Sequence, residues 1–296
     1  MICHNHLKTA IDDYCLNGDK EILVRIANEL RYSSLYIPSK RHDGKPVFDI
    51  YEGEGDLKLI PLFTDLDEAD YFYGSGDVKL LSNSFELYRN VLKTSDIDGY
   101  ILNPASQNYL FLKDFILAIT DIPKTHYYSS NPYSPEELKN LTDSQNQGLE
   151  DFISNPQNIV NYEALFDRLS KSTVMTLMLS DIDLSGLFEN GILDMQNTGP
   201  VASMHIDDVG GRYAAIFSSK DKINSVDTSQ FKYGQVVNLS MLVNFVLSED
   251  MDGIILNPSS DDVLIPRQKL LSYSLGFEKY ADDERLANSM YYLLEI

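Results

Sequence analysis

The chain has 296 residues, of which 43% are hydrophobic and 23% charged, a composition typical of a globular protein with about two domains. The formal net charge is −21 and is evenly shared, since residues 1–150 sum to −10 and residues 151–296 sum to −11. Nucleic acids and anionic membranes are therefore poor partners, because they bind clustered Lys and Arg, whereas a protein with a basic surface is compatible with this charge.

Two helices are predicted at the start of the chain. A helix over 5–16 is indicated by apolar residues at the spacing of one buried helical face. Asn17-Gly18 gives its C-terminal stop, and a second helix is predicted over 20–31. The residues of the predicted buried face are Leu7, Ile11, Tyr14 and Cys15.

Strands follow the two helices. They are predicted at Ser34–Ile37, Val47–Tyr51 and Leu57–Phe63, with a chain reversal at Gly53 to Gly55. Because proline lacks a ladder donor, Pro61 predicts that the last of these strands is at an edge or bulged.

The chain then repeats itself. A shift of 154 residues places 98–104 on 252–258 with six of seven positions identical, and 46–117 on 200–271 with 16 of 72 identical. Two copies of one structural unit are therefore predicted. Aligning 35–38 with 177–180 gives an offset of 142, which predicts about 12 extra residues in the second copy near 187–198.

Each copy is predicted to continue with the same elements. Thr64 with Asp67, and Ser218 with Asp221, resemble capping boxes that begin a helix. Amphipathic helices are predicted over 84–94 and 238–248. An Asp-Gly turn then leads into an apolar strand covered on both faces, which Asn-Pro ends. A further strand and helix close each copy, near 108–119 and 262–272.

These elements predict an α+β protein with two tandem related domains, each a mixed β-sheet with packed helices. We expect a first domain at 1–125, a linker with helical segments at 126–158, and a second domain with a C-terminal helix at 159–296. Helices are predicted within the join near 135–142, 147–154 and 160–171. The helix at 147–154 fits either the linker or the second copy.

The pattern resembles the N-terminal domain of the SseB family, the enhanced serine sensitivity proteins. The resemblance rests on Ile60 to Thr64 with Gly99 to Pro104, and on Ala215 to Ser218 with Gly253 to Ser259. It departs from the usual family layout, because a second diverged copy replaces a different C-terminal domain. The resemblance implies an intracellular protein without an agreed biochemical activity.

The Asn-Pro segments are the candidate binding sites. They follow a predicted inner strand, and ligands of open α/β sheets collect beyond the carboxyl ends of strands. Exposed Asn and Ser side chains there are suited to a peptide or a small polar ligand, although Asn-Pro is also an ordinary strand stop. The candidate residues are Asn103, Pro104, Ser106, Asn257, Pro258, Ser259 and Ser260.

No metal site or cofactor is predicted. Cys3, His4 and His6 with Cys15 give only a superficial zinc pattern, because Cys15 is expected on the apolar helix face. Two cysteines give no disulfide framework, and the first residues lack the features of a secretory signal. No window approaches the ~18 apolar residues of a membrane span, so a cytoplasmic protein is predicted.

Sequence motifs for phosphate-binding loops, dinucleotide binding, zinc proteases and serine hydrolases are missing from the chain. The leading hypothesis is a non-enzymatic protein-interaction or regulatory protein. The alternative is a small-molecule binder or enzyme that uses an interdomain cleft near the Asn-Pro loops.

Overall fold

The computed structural model describes residues 4–119 and 146–274, apart from residues 19, 43–44, 75–78, 173, 181–187, 190–191, 194–200, 209, 232 and 238. Helices and mixed or antiparallel sheets make up the described chain, which confirms the α+β class. Its contacts form two compact units, the first holding the described residues up to 119 and the second those from 146 to 274.

The first unit contains five helices and seven strands among its described residues, with a short 3₁₀ turn at Glu54–Asp56. In chain order they are α1 (Asn5–Asn17), α2 (Lys20–Tyr32), β1 (Ser34–His42), β2 (Lys45–Phe48), β3 (Tyr51–Glu52), β4 (Lys58–Leu62), α3 (Leu66–Tyr73), β5 (Lys79–Ser84), α4 (Phe85–Thr94), β6 (Gly99–Leu102), β7 (Tyr109–Leu112) and α5 (Lys113–Ala118).

The second unit begins with three helices and continues in a similar order. Its described elements are α6 (Gln147–Ile153), α7 (Pro156–Ile159), α8 (Tyr162–Ser170), β8 (Val174–Ser180), β9 (Phe188–Glu189), β10 (Ile192–Leu193), β11 (Val201–Ser203), β12 (His205–Asp208), β13 (Gly211–Ile216), α9 (Lys220–Ile223), β14 (Tyr233–Val237), α10 (Leu239–Ser248), β15 (Gly253–Leu256), β16 (Val263–Pro266) and α11 (Arg267–Ser274).

Each unit has a mixed four-stranded sheet and an antiparallel three-stranded sheet. The four-stranded sheets have the orders β3-β4-β6-β7 and β12-β13-β15-β16, with one parallel pair at the centre of each. The three-stranded sheets have the orders β2-β1-β5 and β11-β8-β14. An antiparallel bridge joins the two sheets within each unit, between Tyr36 and Phe63 and between Met175 and Phe217.

The central pairs of the two units share one register. Leu59 faces Gly99 in the first unit, and Tyr213 faces Gly253 in the second, both displaced by 154 residues. The inner strands β6 and β15 are buried at every position, as their continuous apolar runs predict. The carboxyl ends of these strands, which Asn103 and Asn257 follow, therefore have equivalent positions in the two sheets.

Helices of the first unit pack against its strands. Leu7 and Ile11 of α1, Ile26 and Leu30 of α2, and Tyr88 of α4 belong to one buried cluster with strand residues. In the second unit, α10 also buries apolar side chains. Leu239, Leu242 and Val246 are buried, and Phe245 is half-buried.

Helix α1 ends as the sequence predicts, because Gly18 adopts a left-handed conformation and its N–H donates to the Tyr14 carbonyl at 2.8 Å. The expected burial of Cys15 is wrong. This cysteine is exposed and Tyr14 is half-buried, so the apolar face consists of Leu7, Ala10 and Ile11.

The strand predicted over 47–51 is two strands in different sheets. Strand β2 ends at Phe48 and pairs with β1, whereas β3 begins at Tyr51 and pairs with β4. The break at residues 49–50 lets the chain pass from one sheet to the other, which an alternating pattern does not reveal.

Pro61 lies on β4, which pairs on both sides, so the predicted edge position is wrong for the strand as a whole. The missing donor has a local effect. In the second unit Ala215, at the equivalent position, donates its N–H to the Met204 carbonyl at 2.9 Å. Proline cannot make that bond, and the partner strand β3 has two residues where β12 has four.

The alignment of 35–38 with 177–180 is also wrong. The bridges place Tyr36 and Met175 at equivalent positions, an offset of 139 rather than 142. Because successive side chains of a strand point to opposite faces, an alignment error of three residues assigns each side chain to the wrong face. Within the extra segment of the second unit, β9 and β10 form a two-stranded antiparallel ladder, and most other residues of 187–198 lie outside the described residues.

Helix α6 belongs to the second unit, so residues 147–153 are not a linker. Its buried Leu149 and Ile153 correspond to Leu7 and Ile11 of α1 at an offset of 142. The predicted helix near 135–142 and the C-terminal helix beyond residue 274 lie outside the described residues.

Candidate functional site

Asn103 and Asn257 each stand directly after an inner strand, as predicted, but their predicted exposure is wrong. Both residues have an exposed fraction of 0%. Their backbones adopt left-handed conformations, with φ of 44° and 55°. Asparagine tolerates this conformation better than most residues, which is one reason for its presence at both strand ends.

In the first unit, the side chain of Asn103 fastens the end of β6 to the end of β4. Its Oδ1 accepts from the Thr64 N–H at 3.1 Å, and its Nδ2 donates to Thr64 Oγ1 at 3.1 Å. The backbone N–H of Asn103 donates to the Leu62 carbonyl at 2.9 Å, which extends the parallel ladder by one bond.

In the second unit, Asn257 makes the same bonds to Ser218 over shorter distances. Its Oδ1 accepts from the Ser218 N–H at 2.8 Å, and its Nδ2 donates to Ser218 Oγ at 2.7 Å. Both pairs are separated by 39 residues in the chain. We call this arrangement of asparagine and hydroxyl residue the strand-end junction.

The second hydrogen of each asparagine amide has a partner four residues along the chain. Asn103 Nδ2 donates to Gln107 Oε1 at 3.1 Å, whereas Asn257 Nδ2 donates to Asp261 Oδ2 at 2.8 Å. The side-chain oxygen and both amide hydrogens are thus used inside each unit. These asparagines serve to hold the fold rather than to present groups to a ligand.

The capping boxes predicted from Thr64 and Ser218 are not formed. Helix α3 is capped by Asp65, whose side chain accepts from the Glu68 N–H at 2.9 Å. Ser219 is the N-cap residue of α9, and its side chain makes no capping hydrogen bond. Thr64 and Ser218 are instead committed to the strand-end junction.

A lysine–carboxylate cluster lies beside the junction of the first unit. Lys8 Nζ from α1 is 2.7 Å from Glu68 Oε1 and 3.6 Å from Asp65 Oδ2. The other Glu68 oxygen accepts from Ser106 Oγ at 2.6 Å. Gln107 Nε2 donates to the Lys8 carbonyl at 3.1 Å, which completes the link between α1 and the loop after β6.

The second unit has an ion pair at the same place with the charges exchanged. Here Lys222, the counterpart of Glu68, supplies the cation, and it lies 2.6 Å from Asp261 Oδ2. The acid comes from the first helix of the unit, because Glu150 on α6 bonds to Ser218 Oγ and lies 4.0 Å from Lys222.

The remaining candidate residues differ in exposure. Pro104 is half-buried and Pro258 is buried. The three serines are exposed, and their hydroxyls or amides also bond within the loops. Ser106 donates to Glu68, Ser259 N–H donates to Asp262, and Ser260 Oγ donates to the Asn257 carbonyl.

The Asp-Gly pairs have a structural explanation as well. Asp98 accepts from the Lys58 N–H at 2.8 Å, and Asp252 accepts from the Arg212 N–H at 2.6 Å, at the start of the neighbouring parallel strand. A Cβ on Gly99 would lie 2.3 Å from the Phe111 carbonyl oxygen, so glycine lets β6 and β7 approach.

The pKa values of Asp96, Asp227 and Asp261 are displaced downward. A hydrogen bond from Lys58 lowers the pKa of Asp96, and the Ser229 N–H lowers the pKa of Asp227. For Asp261, burial opposes the charged form, but hydrogen bonds from Lys222 and Asn257 outweigh it and lower the pKa. A general acid requires a raised pKa instead.

The described residues contain no group of three or more His, Cys, Asp or Glu arranged to hold a metal ion. Cys3 of the superficial zinc pattern lies outside them. Within the same part of the chain, no helix has the length and apolar content needed to cross a membrane.

The exposed surface of the first unit carries an aromatic group that the sequence analysis missed. Tyr71 at the end of α3 is 72% exposed, and Tyr51 on β3 is 38% exposed. The Tyr51 ring lies 6.3 Å from the Phe72 ring, and Phe72 lies 4.8 Å from Tyr73. We call these four side chains the aromatic surface.

A sequence signal for this surface exists in the comparison of the two copies. The positions that correspond to Tyr51, Tyr71, Phe72 and Tyr73 hold His205, Ser225, Val226 and Asp227. Burial and Asp49 raise the pKa of Tyr73 to about 12.

Comparisons of the chain with family models, curated proteins and solved structures give no match. The site is therefore interpreted from its own geometry.

Proposed function

We propose that this chain is a non-enzymatic, cytoplasmic protein-interaction or regulatory protein of the SseB type, built from two related α+β domains. The observation that carries the proposal is the strand-end junction. The side-chain oxygen and both amide hydrogens of Asn103 and of Asn257 are consumed by internal bonds. These two asparagines, which are identical in the two copies, thus maintain two scaffolds.

Exposed groups support the same proposal. Tyr71 and Ile50 are 72% and 55% exposed, and apolar or aromatic side chains of this kind occur at protein–protein contacts. The net charge of −21 favours association with a basic protein through long-range attraction. Catalysis receives no comparable support from the three displaced carboxyl groups, because their pKa values move away from those of a general acid.

The alternative of a small-molecule binder or enzyme at the Asn-Pro loops is weaker. It rested on exposed asparagine and serine side chains at these loops, and both asparagines are buried. A version of the alternative that uses the exposed serines remains testable. Ser106, Ser259 and Ser260 can each be replaced by alanine without removing the strand-end junction.

Reconstituted binding tests the proposed function. A protein that copurifies with the full-length chain from native lysate is purified separately and titrated against it by calorimetry. We expect saturable binding at a fixed stoichiometry, weakened by added salt because acidic and basic surfaces attract each other. The same preparation is assayed for hydrolase, transferase and oxidoreductase turnover, and we expect none.

Turnover that a single side-chain substitution abolishes would overturn the proposal. The serine variants separate the two hypotheses. If Ser106→Ala or Ser260→Ala removes binding of a small polar molecule while the circular dichroism spectrum is unchanged, the alternative replaces the proposal. If these variants bind the partner protein as tightly as the wild type, the proposal is supported.

A further inference from the structure

Helix α3 presents an aromatic ring and two carboxylates on one exposed stripe. Its sequence from Leu66 to Tyr73 contains no basic residue. Asp67, Asp70 and Tyr71 are all exposed. Positions 70 and 71 are three and four residues after position 67, so the side chains of Asp70 and Tyr71 each neighbour that of Asp67. We call these three residues the α3 stripe.

Neither carboxylate of the stripe takes part in an ion pair with another described residue. The cation of the neighbouring cluster is engaged elsewhere, since Lys8 contacts Glu68 and Asp65. The charge of Asp67 and Asp70 is therefore available to an external cation.

The exposed ring of α3 belongs to Tyr71. Phe72 and Tyr73 lie 5.8 Å from the buried Phe63 ring, whereas Tyr71 is 72% exposed. Because Tyr71 is four residues after Asp67, a partner that covers this ring also meets a carboxylate.

Arginine matches this combination better than lysine does. Its planar guanidinium stacks on an aromatic ring and still directs N–H donors to a carboxylate, whereas the lysine ammonium is a strongly hydrated point charge. A guanidinium placed on the Tyr71 ring has the Asp67 carboxylate within one helical turn.

The second unit lacks the equivalent stripe. Helix α9 ends at Ile223, and the positions that correspond to Asp70 and Tyr71 hold Asn224 and Ser225. Only Asp221 matches a stripe residue, at the position of Asp67. The second unit is therefore an internal control for binding to the first.

We infer that the α3 stripe is a docking surface for an arginine-containing segment of a basic partner protein. This inference rests on the proposed function and names the partner chemistry for it. Charge complementarity sets the class of partner, and the exposed Tyr71 ring sets the preference for arginine.

The test uses the full chain and a fluorescent peptide of arginine, glycine and serine, with lysine and glutamate versions of the same peptide. Fluorescence anisotropy measures the dissociation constants at low and physiological salt. We expect the arginine peptide to bind most tightly. Tyr71→Ala should weaken it about threefold, in line with an exposed cation–π contact, and Asp67→Asn about twofold.

Matched controls lie in the second unit. Asp221→Asn removes an exposed carboxylate at the position of Asp67, and Val160→Ala trims an apolar side chain that is 77% exposed. We expect both control variants to bind like the wild type. Circular dichroism melting checks that every variant is folded, which we expect because the substituted side chains are exposed.

Three results would overturn the inference: equal affinity for the arginine and lysine peptides, an equal loss in the Asp221→Asn control, or no loss in the Tyr71→Ala, Asp67→Asn double variant. Self-association abolished by Tyr71→Ala would overturn it as well, by assigning the surface to a second copy. None of these results bears on enzymatic turnover, so the proposed function fails or stands separately.

Discussion

Each unit has an asparagine at the equivalent position with the same role, but the ion pair beside it takes its cation from a different element in each unit. Asn103 and Asn257 both connect an inner strand to the hydroxyl residue at the end of its parallel neighbour. Beside the first, a helical glutamate meets Lys8 from α1. Beside the second, Lys222 meets acidic groups from α6 and from the loop after β15.

This difference shows which features the shared backbone requires. The strand end needs a residue that accepts a left-handed φ, accepts one N–H and donates two hydrogens, which describes asparagine. The ion pair requires only one cation and one anion near each other, so either helix can supply either charge. The asparagine is therefore identical in the two units, whereas the residues of the ion pair beside it are not.

The largest effect is expected from adding a methyl group at the Asp-Gly turns. In Gly99→Ala and Gly253→Ala the new Cβ would lie 2.3 Å and 2.2 Å from a carbonyl oxygen of the next strand. Because the backbone of the neighbouring strand must move, each variant should lose about 3 kcal/mol or more of unfolding free energy.

Urea unfolding followed by circular dichroism measures this loss, since the chain has no tryptophan. Gly210→Ala is the control, because this glycine has φ of 83° and open space around it. It should cost only about 1 kcal/mol. Equal losses in all three variants would mean that contact with the next strand is not the cause.

The junction itself should give the next largest effect, and a larger one in the second unit. Asn257→Ala removes three bonds of 2.7 to 2.8 Å, one of them to a carboxylate, and leaves the Ser218 N–H unpaired. We expect a loss of about 3 kcal/mol, against about 2 kcal/mol for Asn103→Ala, whose bonds are 3.1 Å.

Hydrogen exchange measured by mass spectrometry assigns each loss to its own unit. Faster exchange should appear in peptides from 253–266 for Asn257→Ala and from 99–112 for Asn103→Ala. The reverse ranking of the two variants would show that bond length and charge do not set the cost.

A smaller contrast is expected at the helix that closes each unit. Arg267 is buried and donates to the carbonyls of Val246, Leu247 and Met251, at the end of α10. Its counterpart Lys113 donates to the Ser95 carbonyl. Arg267→Met should cost about 2 kcal/mol and Lys113→Met about 1 kcal/mol in urea unfolding. If the two variants lose the same unfolding free energy, the three hydrogen bonds of the buried guanidinium do not add stability beyond the single bond of Lys113.

The smallest effect is a difference in acid sensitivity. The pKa of Asp261 is lowered in the folded chain, so its contribution to stability is present above its unfolded pKa and is lost as pH falls through the folded pKa. Gln107, at the same position in the first unit, does not titrate. Because Asp261 is partly exposed to solvent, the contribution should be less than about 1 kcal/mol.

Asp261→Asn should therefore flatten the decline of unfolding free energy between neutral pH and about pH 3, compared with the wild type. Parallel pH profiles for the wild type and Asp261→Asn would show that this carboxyl is not linked to stability.

The sequence predicted the elements well where the pattern was local. Helix α1 and its stop at Gly18, the inner strands before Asn103 and Asn257, and the paired closing strands and helices follow from periodicity and turn residues. Predictions that depended on contacts between distant residues were wrong. Thr64 was expected to cap a helix, but its hydroxyl and amide bond to an asparagine 39 residues away.

By itself, the sequence determined the α+β class, the place of each inner strand and the two asparagines that end them, because periodicity and turn preference act over a few residues. Tertiary structure alone decided that those asparagines are buried, that residues 47–51 divide between two sheets and that Tyr71 is exposed beside Asp67. Burial and pairing depend on which distant segments meet, and one strand end gives no information about the segment that covers it.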